Sequence, residues 1–574
     1  MAKKGLGCLI LFALPFAAVG VGAGAWMGWA VVAHLKMRGW QEVPAQIVRT
    51  DLKAHRGKST TYEVTAEYAY QYGGRPYTGR RVSLYGGSDN VGSFHQDAYS
   101  QLSQYQKSGR PFRCYVDPQR PADAILYRDL RWQMILFQSI FAVAFGGVGF
   151  GLLAGSLWGY RKARAEGALA AAHPQEPWLH KQEWAGGNVV SSNRTGMLCA
   201  LAVAAFWNVI SAPLWFTLPG EIVGKHNWLA LLGAIFPAVG LALVAWAICA
   251  VLRWRKFGQS TFQMAAVPGV IGGQLAGVVR TSAKVLPEDG FQLTLACIQK
   301  VTGSSGKSRS TSENVLWEDD QVVLRDLLQQ DPDHTAIPVL FAIPYECRPT
   351  DETQSDNQTI WRLKVKAKVP GVDYGAAFDV PVFKTAQSDP HFAADPKLMA
   401  EYTAPANPER ELRDAHVVRG PSPSGEGYEF IFPMGRNLGT SLGFLAFLLV
   451  WSGVIGLMIH LGAPMFLPIV FGLFDVLILF LAVDMWFYKS AVDVSPRGLT
   501  VTGGLFGWGT PQWVDASDVA KIEPVKGMQS GQSLYYDIVV TRHSGKKITA
   551  AKRLAPHHLA KAIADQITQA MVKQ

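Results

Sequence analysis

One carboxylate interrupts one of the most apolar stretches of the chain. The segment FGLFDVLILF, residues 471–480, places Asp475 among aliphatic and aromatic side chains. A charged carboxylate at the centre of a bilayer costs at least about 2.5 to 3.5 kcal/mol, so it must face other helices, pair or stay protonated. Asp475 is therefore suited to one of two tasks: moving protons or ions across a membrane, or holding helices together through a hydrogen bond.

Asn208 is the residue that the sequence places best to pair with Asp475. Asp475 follows Pro464 by eleven residues and Asn208 follows Thr195 by thirteen, so they lie about 16 Å and about 20 Å deep from opposite membrane faces. We therefore predict a hydrogen bond between a neutral Asp475 and Asn208 that joins two helices. Transport is the alternative, although proton pathways usually contain several ionisable groups at membrane depth and these helices contain one central carboxylate.

Other candidate motifs lack an essential residue. The stretch TGSSGKSRS, residues 302–310, would need a glycine where Val301 stands to form a phosphate-binding loop. Residues 351–358, DETQSDNQ, lack the central glycine and final glutamate of a calcium-binding loop. His557 and His558 are adjacent on a predicted helix, so they point about 100° apart and cannot share a metal without a third element. The sequence predicts no catalytic residue, cofactor-binding residue or metal ligand.

Six blocks without Lys or Arg are long enough to form membrane-spanning helices around Asp475. Hydrophobic residues make up 49% of the 574 residues and charged residues 17%, which is a membrane composition. A helix needs about 20 residues to cross a bilayer core about 30 Å thick. The first block is too long for a signal-peptide core of about 7 to 15 residues, so we predict an uncleaved helix. The six predicted helices are residues 5–33, 132–160, 195–218, 228–252, 438–461 and 464–487.

Basic residues at the ends of these blocks indicate the orientation, because they resist translocation across the membrane. They predict a multi-pass protein of the bacterial inner (cytoplasmic) membrane with both termini in the cytoplasm. Residues 34–131 then lie outside, and residues 161–194, 254–437 and 488–574 lie inside. Lys36 and Arg38 are exceptions on the outer side. The residues that mark the inner side are Lys3, Lys4, Arg161, Lys162, Arg164, Arg253, Arg255, Lys256, Arg436 and Lys489.

Residues 34–131 are predicted to form a small extracytoplasmic β domain. A run with period two from Tyr62 to Tyr70, a two-residue turn at Gly73 and Gly74, and a second strand are typical of a hairpin. Trp40 and VPAQI after the first helix, the hairpin YAYQYGGRPYTG and the run YVDPQRP before the second helix follow in that order. This order resembles the bacterial family called domain of unknown function 3592, over about residues 35–155. The resemblance implies this topology and no activity, ligand or catalytic residue.

The region 254–437 is predicted to form a cytoplasmic β-sandwich, because short strand-like runs alternate with turn residues. Its stretches IPVLFAIP and IWRLKVKAKVPGVDYGAAFDVPVF resemble arrestin-like or immunoglobulin-like sandwiches. Residues 384–425 are predicted to be a linker that ends in a Pro/Ser-rich stretch. The preceding cytoplasmic segment, residues 161–194, contains the stretch EPWLHKQEWAGGNVVSSNR. This stretch, residues 176–194, is predicted either to lie along the membrane with Trp178 and Trp184 at head-group depth or to form an ordinary loop.

Residues 488–574 are predicted to form a separate cytoplasmic α+β domain. Several strands are followed by a helix with one apolar face, an order that resembles bacterial pleckstrin-homology-like (PH-like) domains. A basic group of four residues could contact anionic lipid head groups at about 1 kcal/mol per residue, or could form an ordinary solvated face. These residues are Lys546, Lys547, Lys552 and Arg553.

The sequence thus predicts a polytopic α-helical membrane protein with mainly β soluble domains. Because only Cys114 lies in residues 34–131, that domain has no internal disulfide. The net charge of +10 is explained by orientation and anionic lipids, so no nucleic-acid partner is predicted. We predict a non-catalytic envelope protein that binds, senses or scaffolds protein partners and that couples the outer domain to the inner ones. A small-solute or proton-coupled transporter using Asp475 is one alternative, and a membrane-bound enzyme of unrecognised class is another.

Overall fold

The computed structural model combines long apolar helices with several β-sheets. It describes residues 2–572 apart from residues 57–59, 225, 227, 288, 306–307, 325–326, 331–333, 355, 396–408, 410–411, 414, 424, 426, 461 and 532. In this part of the chain, six helices are long and apolar enough to cross a membrane, as predicted for a multi-pass protein. They are α1 (Ala2–Met37), α3 (Trp132–Ala172), α5 (Asn193–Pro219), α6 (Ile235–Phe257), α7 (Leu438–His460) and α8 (Phe466–Phe487).

All six helices differ slightly from their predicted bounds, and two differ by more than five residues at one end. Helix α3 continues past Tyr160 to Ala172, because the run RKARAEGALAAA consists mainly of strong helix formers. Helix α6 begins at Ile235, since Trp228–Ala234 forms a 3-10 helix instead. The structure thus keeps the predicted helices but moves their ends, where composition alone is least informative.

The chain forms two compact units. The first comprises residues 1–172 and 198–248, and the second comprises residues 173–197 and 249–574. The N-terminal β domain belongs to the first unit. The middle β domain, helices α7 and α8 and the C-terminal domain belong to the second.

The N-terminal domain is a five-stranded antiparallel sheet in the order β3-β2-β1-β4-β5. Tyr72 pairs with Arg75, and Gly73 and Gly74 have φ values of +57° and +79°, so the predicted hairpin turn is confirmed. Helix α2 packs on the sheet and buries Leu102 against it. The elements are β1 (Gln41–Arg56), β2 (Thr60–Tyr72), β3 (Arg75–Gly79), α2 (Phe94–Ser108), β4 (Phe112–Asp117) and β5 (Arg120–Ile125).

The middle domain has two larger sheets that share one core, in which Phe341 and Trp361 are fully buried. One sheet has the order β11-β10-β14-β15 and the other β12-β13-β9-β7-β6, while β8 pairs with β16. The elements are α4 (Gln182–Ala185), β6 (Asn188–Val190), β7 (Thr261–Met264), β8 (Gly269–Val270), β9 (Gly273–Arg280), β10 (Phe291–Ser305), β11 (Ser308–Val323), β12 (Gln329–Gln330), β13 (Thr335–Ile343), β14 (Asn357–Ala367), β15 (Tyr374–Val380) and β16 (Val382–Phe383).

Part of the predicted membrane-facing segment belongs to this middle domain. Trp184 is 5% exposed, and its Nε1 donates a hydrogen bond to the carbonyl oxygen of Asp379 at 3.1 Å. The placement of Trp184 at head-group depth is therefore wrong, because the ring is buried in the protein core and its polar N–H already has a hydrogen-bond partner there. Trp178 packs against Phe383 with ring centroids 5.6 Å apart.

The C-terminal domain contains a five-stranded sheet, β17-β18-β19-β20-β21, a three-stranded sheet, β22-β23-β24, and the helix α9. Strands β17 and β18 precede α7 in the chain and pair with each other, and β18 also pairs with β19, which follows α8. The elements are β17 (Val418–Pro421), β18 (Tyr428–Phe432), β19 (Tyr488–Ser495), β20 (Gly498–Leu505), β21 (Gln512–Asp515), β22 (Val519–Ser530), β23 (Ser533–Arg542), β24 (Lys547–Leu554) and α9 (His557–Val572). Residues 396–408 of the predicted linker lie outside the described residues.

Candidate functional site

The second unit contains a cleft between the middle and C-terminal domains. Its volume is about 550 Å³, within the range of about 300–1,000 Å³ that is usual for ligand pockets. Residues of both domains line it, which makes it a candidate binding site. They include Arg253, Gln292, Lys366, Tyr374 and Gly375 on one side and Pro556, His558 and Leu559 on the other.

The end of α6 fixes the middle-domain wall of this cleft. Arg253 Nε donates to the carbonyl oxygen of Asp373 at 3.2 Å, and Lys256 Nζ donates to that of Pro370 at 2.6 Å. The Tyr374 hydroxyl lies 2.8 Å from Ser260 Oγ in the core. Burial raises the pKa of Tyr374, and the hydrogen bond with Ser260 only partly opposes this. Tyr374 is therefore a neutral structural phenol at the base of the cleft.

Two of three adjacent carboxylates of β11, Glu318 and Asp320, join the middle domain to the C-terminal domain. Asp320 is 7% exposed and accepts hydrogen bonds from Thr294 Oγ1 at 2.6 Å and from the backbone N–H of His557 at 2.9 Å. The Tyr536 hydroxyl donates to Glu318 Oε1 at 2.6 Å. These contacts place α9 and β23 directly against β11, behind the cleft.

The carboxylates of this joint have pKa values shifted in opposite directions. Burial and the charge of Asp320 raise the pKa of Asp319 to about 6, while its backbone contacts oppose the shift. Burial alone would raise the pKa of Asp320, but hydrogen bonds from His558 and Thr294 outweigh it and lower the value. Sequence reasoning missed this joint, since its only signal was the acidic triplet in LWEDD.

Asp475 and Asn208 each have a partner on the neighbouring helix of their own unit. Ser452 Oγ of α7 donates to Asp475 Oδ2 at 2.8 Å, so the carboxylate joins α7 to α8. Asn208 Nδ2 donates to the carbonyl oxygens of Ala204 and Gly240, at 2.9 and 3.1 Å, and so joins α5 to α6. The predicted bond between Asp475 and Asn208 would link residues of different units and stays a prediction.

The four basic residues predicted to contact lipid do not form one cluster. Lys546 and Lys547 are exposed at the hairpin between β23 and β24. Lys552 and Arg553 lie at the other end of β24, where Arg553 forms an ion pair with Asp484 of α8. Arg436, which the sequence marked only as a helix flank, donates to the carbonyl oxygen of Lys552. The structure thus brings Arg436 together with Lys552 and Arg553, while contact of the four predicted residues with lipid head groups stays a prediction.

A buried ion network in the N-terminal domain was also missed by sequence reasoning. Arg131 donates to both carboxylate oxygens of Asp89 at 2.8 Å, and His95 Nε2 lies 3.0 Å from Asp89 Oδ2. The backbone N–H of Val64 donates to His95 Nδ1 at 3.3 Å, which assigns the imidazole proton to Nε2. The side chains of Arg131 and His95 are each 5% exposed. This network joins the start of α3 to the N-terminal sheet.

No group of three His, Cys, Asp or Glu side chains in the described part of the chain is arranged to hold a metal ion. The carboxylates of β11 instead bond to hydroxyl, phenol and backbone donors of the protein. Their geometry is that of a domain joint.

The N-terminal domain matches a known family. Residues 43–131 match the family described as Domain of unknown function (DUF3592), so the resemblance found in the sequence is confirmed for this domain. The family description carries no activity.

A solved structure resembles part of the chain. The crystal structure of Spo0M, a sporulation control protein from Bacillus subtilis, matches over 54% of this chain and 98% of that one, with 8% identity and a TM-score of 0.17. A TM-score this low does not establish a shared fold. The fold of the middle domain is therefore described only from its own strand order. No curated protein sequence matches the chain.

Proposed function

We propose that the protein is a non-catalytic, multi-pass protein of the bacterial inner membrane that binds a partner through its cytoplasmic β domains. In this proposal both termini are cytoplasmic, the middle domain is a β-sandwich and the C-terminal domain is PH-like. The cleft of about 550 Å³ carries the proposal, because residues of both domains line it. A partner bound there would touch both domains and stabilise their contact, as a sensor or scaffold requires.

Filling the cleft tests this function. Gly375 lines the cleft, has no atom within 4 Å of an added Cβ and pairs in a strand that accepts ordinary side chains. We first identify the proteins that crosslink reproducibly to the full-length chain in intact cells, by mass spectrometry after purification. We expect Gly375→Trp to abolish their crosslinking. Gly303→Trp is the matched control, since Gly303 also has open space around it and lies outside the cleft. Equal recovery of every partner from the two variants would contradict binding through the cleft.

Transport through Asp475 is the alternative function. The hydrogen bond from Ser452 supports a structural role for this carboxylate, because it joins two neighbouring helices. Asp475→Asn keeps an acceptor oxygen for Ser452 but cannot release a proton. Loss of proton-coupled uptake in vesicles, with the fold intact, would favour the transporter over the binding protein.

A further inference from the structure

A small basic cavity lies where α7 begins, α8 ends and β24 passes beside them. It has a volume of about 20 Å³, and its lining includes Arg436, Asn437, Tyr488, Lys552 and Arg553. A cavity of about 10–15 Å³ is enough for one water-sized group. The space therefore admits a single oxygen atom and leaves the rest of any ligand outside.

Two of the three cations around this cavity have no acidic partner among the described residues. Arg553 is paired with Asp484. Arg436 Nη1 is buried without a hydrogen-bond partner, and Lys552 Nζ lies over the ring of Tyr488, 4.2 Å from its centroid. Because a buried charge without a counter-ion is costly, an anionic oxygen in the cavity would stabilise this arrangement.

Arg436 stays charged despite its burial. Burial and the nearby Arg553 lower its pKa to about 10, while Asp537 opposes the shift. Asp537 Oδ1 already accepts a hydrogen bond from the backbone N–H of Arg553 at 2.8 Å. At neutral pH the guanidinium of Arg436 is therefore fully charged beside the cavity. No carboxylate of the described residues contacts it.

The cavity lies at one end of a pair of membrane-length helices. The backbone N–H of Gly435 donates to the carbonyl oxygen of Trp486 at 2.8 Å, and Trp486 Nε1 donates to that of Ser441 at 3.2 Å. These bonds hold the start of α7 level with the end of α8. Both helices are long enough to cross a bilayer, and a pair that spans it would place this shared end at the depth of the lipid phosphates.

An exposed aromatic row beside the cavity supports the same depth. Phe506 stacks on Phe487 at the end of α8, with centroids 4.9 Å apart, and lies 5.3 Å from the ring of Trp508. Trp508 is 85% exposed. Exposed Trp and Phe rings next to a helix end are typical of the membrane–water interface.

We propose that this cavity binds a phosphate oxygen of an anionic lipid head group, with Arg436 Nη1 and Lys552 Nζ as its donors. Guanidinium and ammonium groups both form charge-assisted bonds to phosphate. A zwitterionic lipid is disfavoured, because Arg553 and Lys552 repel its ammonium group. The inference goes beyond the proposed function, since it does not involve the cleft.

Native mass spectrometry of the full-length protein in detergent tests this site. The probes are phosphatidylglycerol, phosphatidylcholine of the same chain length, and inorganic phosphate. We expect one tightly held phosphatidylglycerol per chain, and an apparent affinity about tenfold weaker in Lys552→Gln and in Arg436→Gln, as expected for losing one charge-assisted bond. Lys546→Gln combined with Lys547→Gln is the control and leaves the affinity unchanged, because both residues are exposed on the hairpin.

Each result bears on the site itself. Lys552→Gln keeps the backbone carbonyl oxygen to which Arg436 donates, so this variant still tests lipid binding if Arg436→Gln fails to fold. Equal retention of both lipids, or equal affinity in Lys552→Gln and the hairpin control, would overturn the assignment of this cavity to an anionic lipid. Displacement of the lipid by inorganic phosphate at equal concentration would show a site for free phosphate and overturn the lipid assignment.

Discussion

Asp89 shows how a single residue holds the N-terminal domain to a helix. Burial alone would raise the pKa of its carboxyl, but hydrogen bonds from Arg131 and His95 outweigh this and lower the pKa to about 2. A carboxyl whose pKa falls on folding contributes stability above its ordinary pKa of 3.8 and loses that contribution as the pH falls towards 2. The network therefore stabilises the domain at neutral pH and weakens in acid.

We predict that Asp89→Asn destabilises the N-terminal domain by about 3 kcal/mol at pH 7, because it leaves the buried guanidinium of Arg131 without a charged partner. The difference from the wild type should shrink between about pH 4 and pH 2. Hydrogen exchange of β2 in the full-length protein, measured at both ends of this range, checks the prediction.

Asp123→Asn is the control for Asp89. The Asp123 side chain is 51% exposed and faces Arg120 at 3.5 Å, so its removal should change stability by at most about 1 kcal/mol. A pH-independent loss in Asp89→Asn, or an equal loss in the control, would contradict the role assigned to the network.

At the scale of elements, small residues let α1 and α3 pack closely. A Cβ atom added to Gly149 would lie 2.3 Å from the backbone nitrogen of Ala17, and one added to Gly20 would lie 2.4 Å from Cα of Gly146. No ordinary side chain fits at such distances. Close packing through Gly and Ala is a usual source of helix association in membranes.

We predict that Gly149→Leu separates α1 from α3 and destabilises the first unit by about 1–3 kcal/mol, because the new side chain meets backbone atoms that cannot move aside. Gly151→Leu on the same helix should have little effect, since Gly151 has open space around it. Thermal unfolding of the two variants in detergent provides the comparison. Similar melting temperatures would show that the helices do not depend on this contact.

At the scale of the whole molecule, the C-terminal domain is assembled from both sides of the α7–α8 pair. Phe430 of β18 is fully buried in a core that also contains Ile538 of β23 and Ile563 of α9. Its strand pairs with β19, where Phe430 lies opposite Val492. Residues that precede the two helices therefore stabilise a domain that lies mostly after them.

We predict that Phe430→Ala destabilises the C-terminal domain by about 3–5 kcal/mol, since it removes a fully buried ring. Faster hydrogen exchange in β23 and α9, more than a hundred residues away in the chain, would be the observable result. Tyr428→Ala in the same strand is the control, because Tyr428 is 45% exposed. Unchanged exchange in Phe430→Ala would mean that residues 488–574 fold without β18.

Local features of the sequence determined much of the architecture. The six helices follow from runs of apolar residues about as long as a bilayer is thick, and the turn at Gly73 and Gly74 follows from the positive φ values that glycine tolerates. The resemblance over the N-terminal domain also rests on neighbouring residues in a fixed order. All these signals lie within a short window of the chain.

The candidate sites were decided by the tertiary structure. The hydrogen bond between Ser452 and Asp475 joins residues 23 positions apart, and the one between Arg436 and Lys552 joins residues 116 positions apart. Strand β18 pairs with β19 although the two helices α7 and α8 separate them in the chain. Composition and periodicity report which face of an element is apolar, but not which other element covers it. For that reason the sequence by itself determined the membrane helices and the β domains, whereas packing alone decided which charges meet and which remain unpaired.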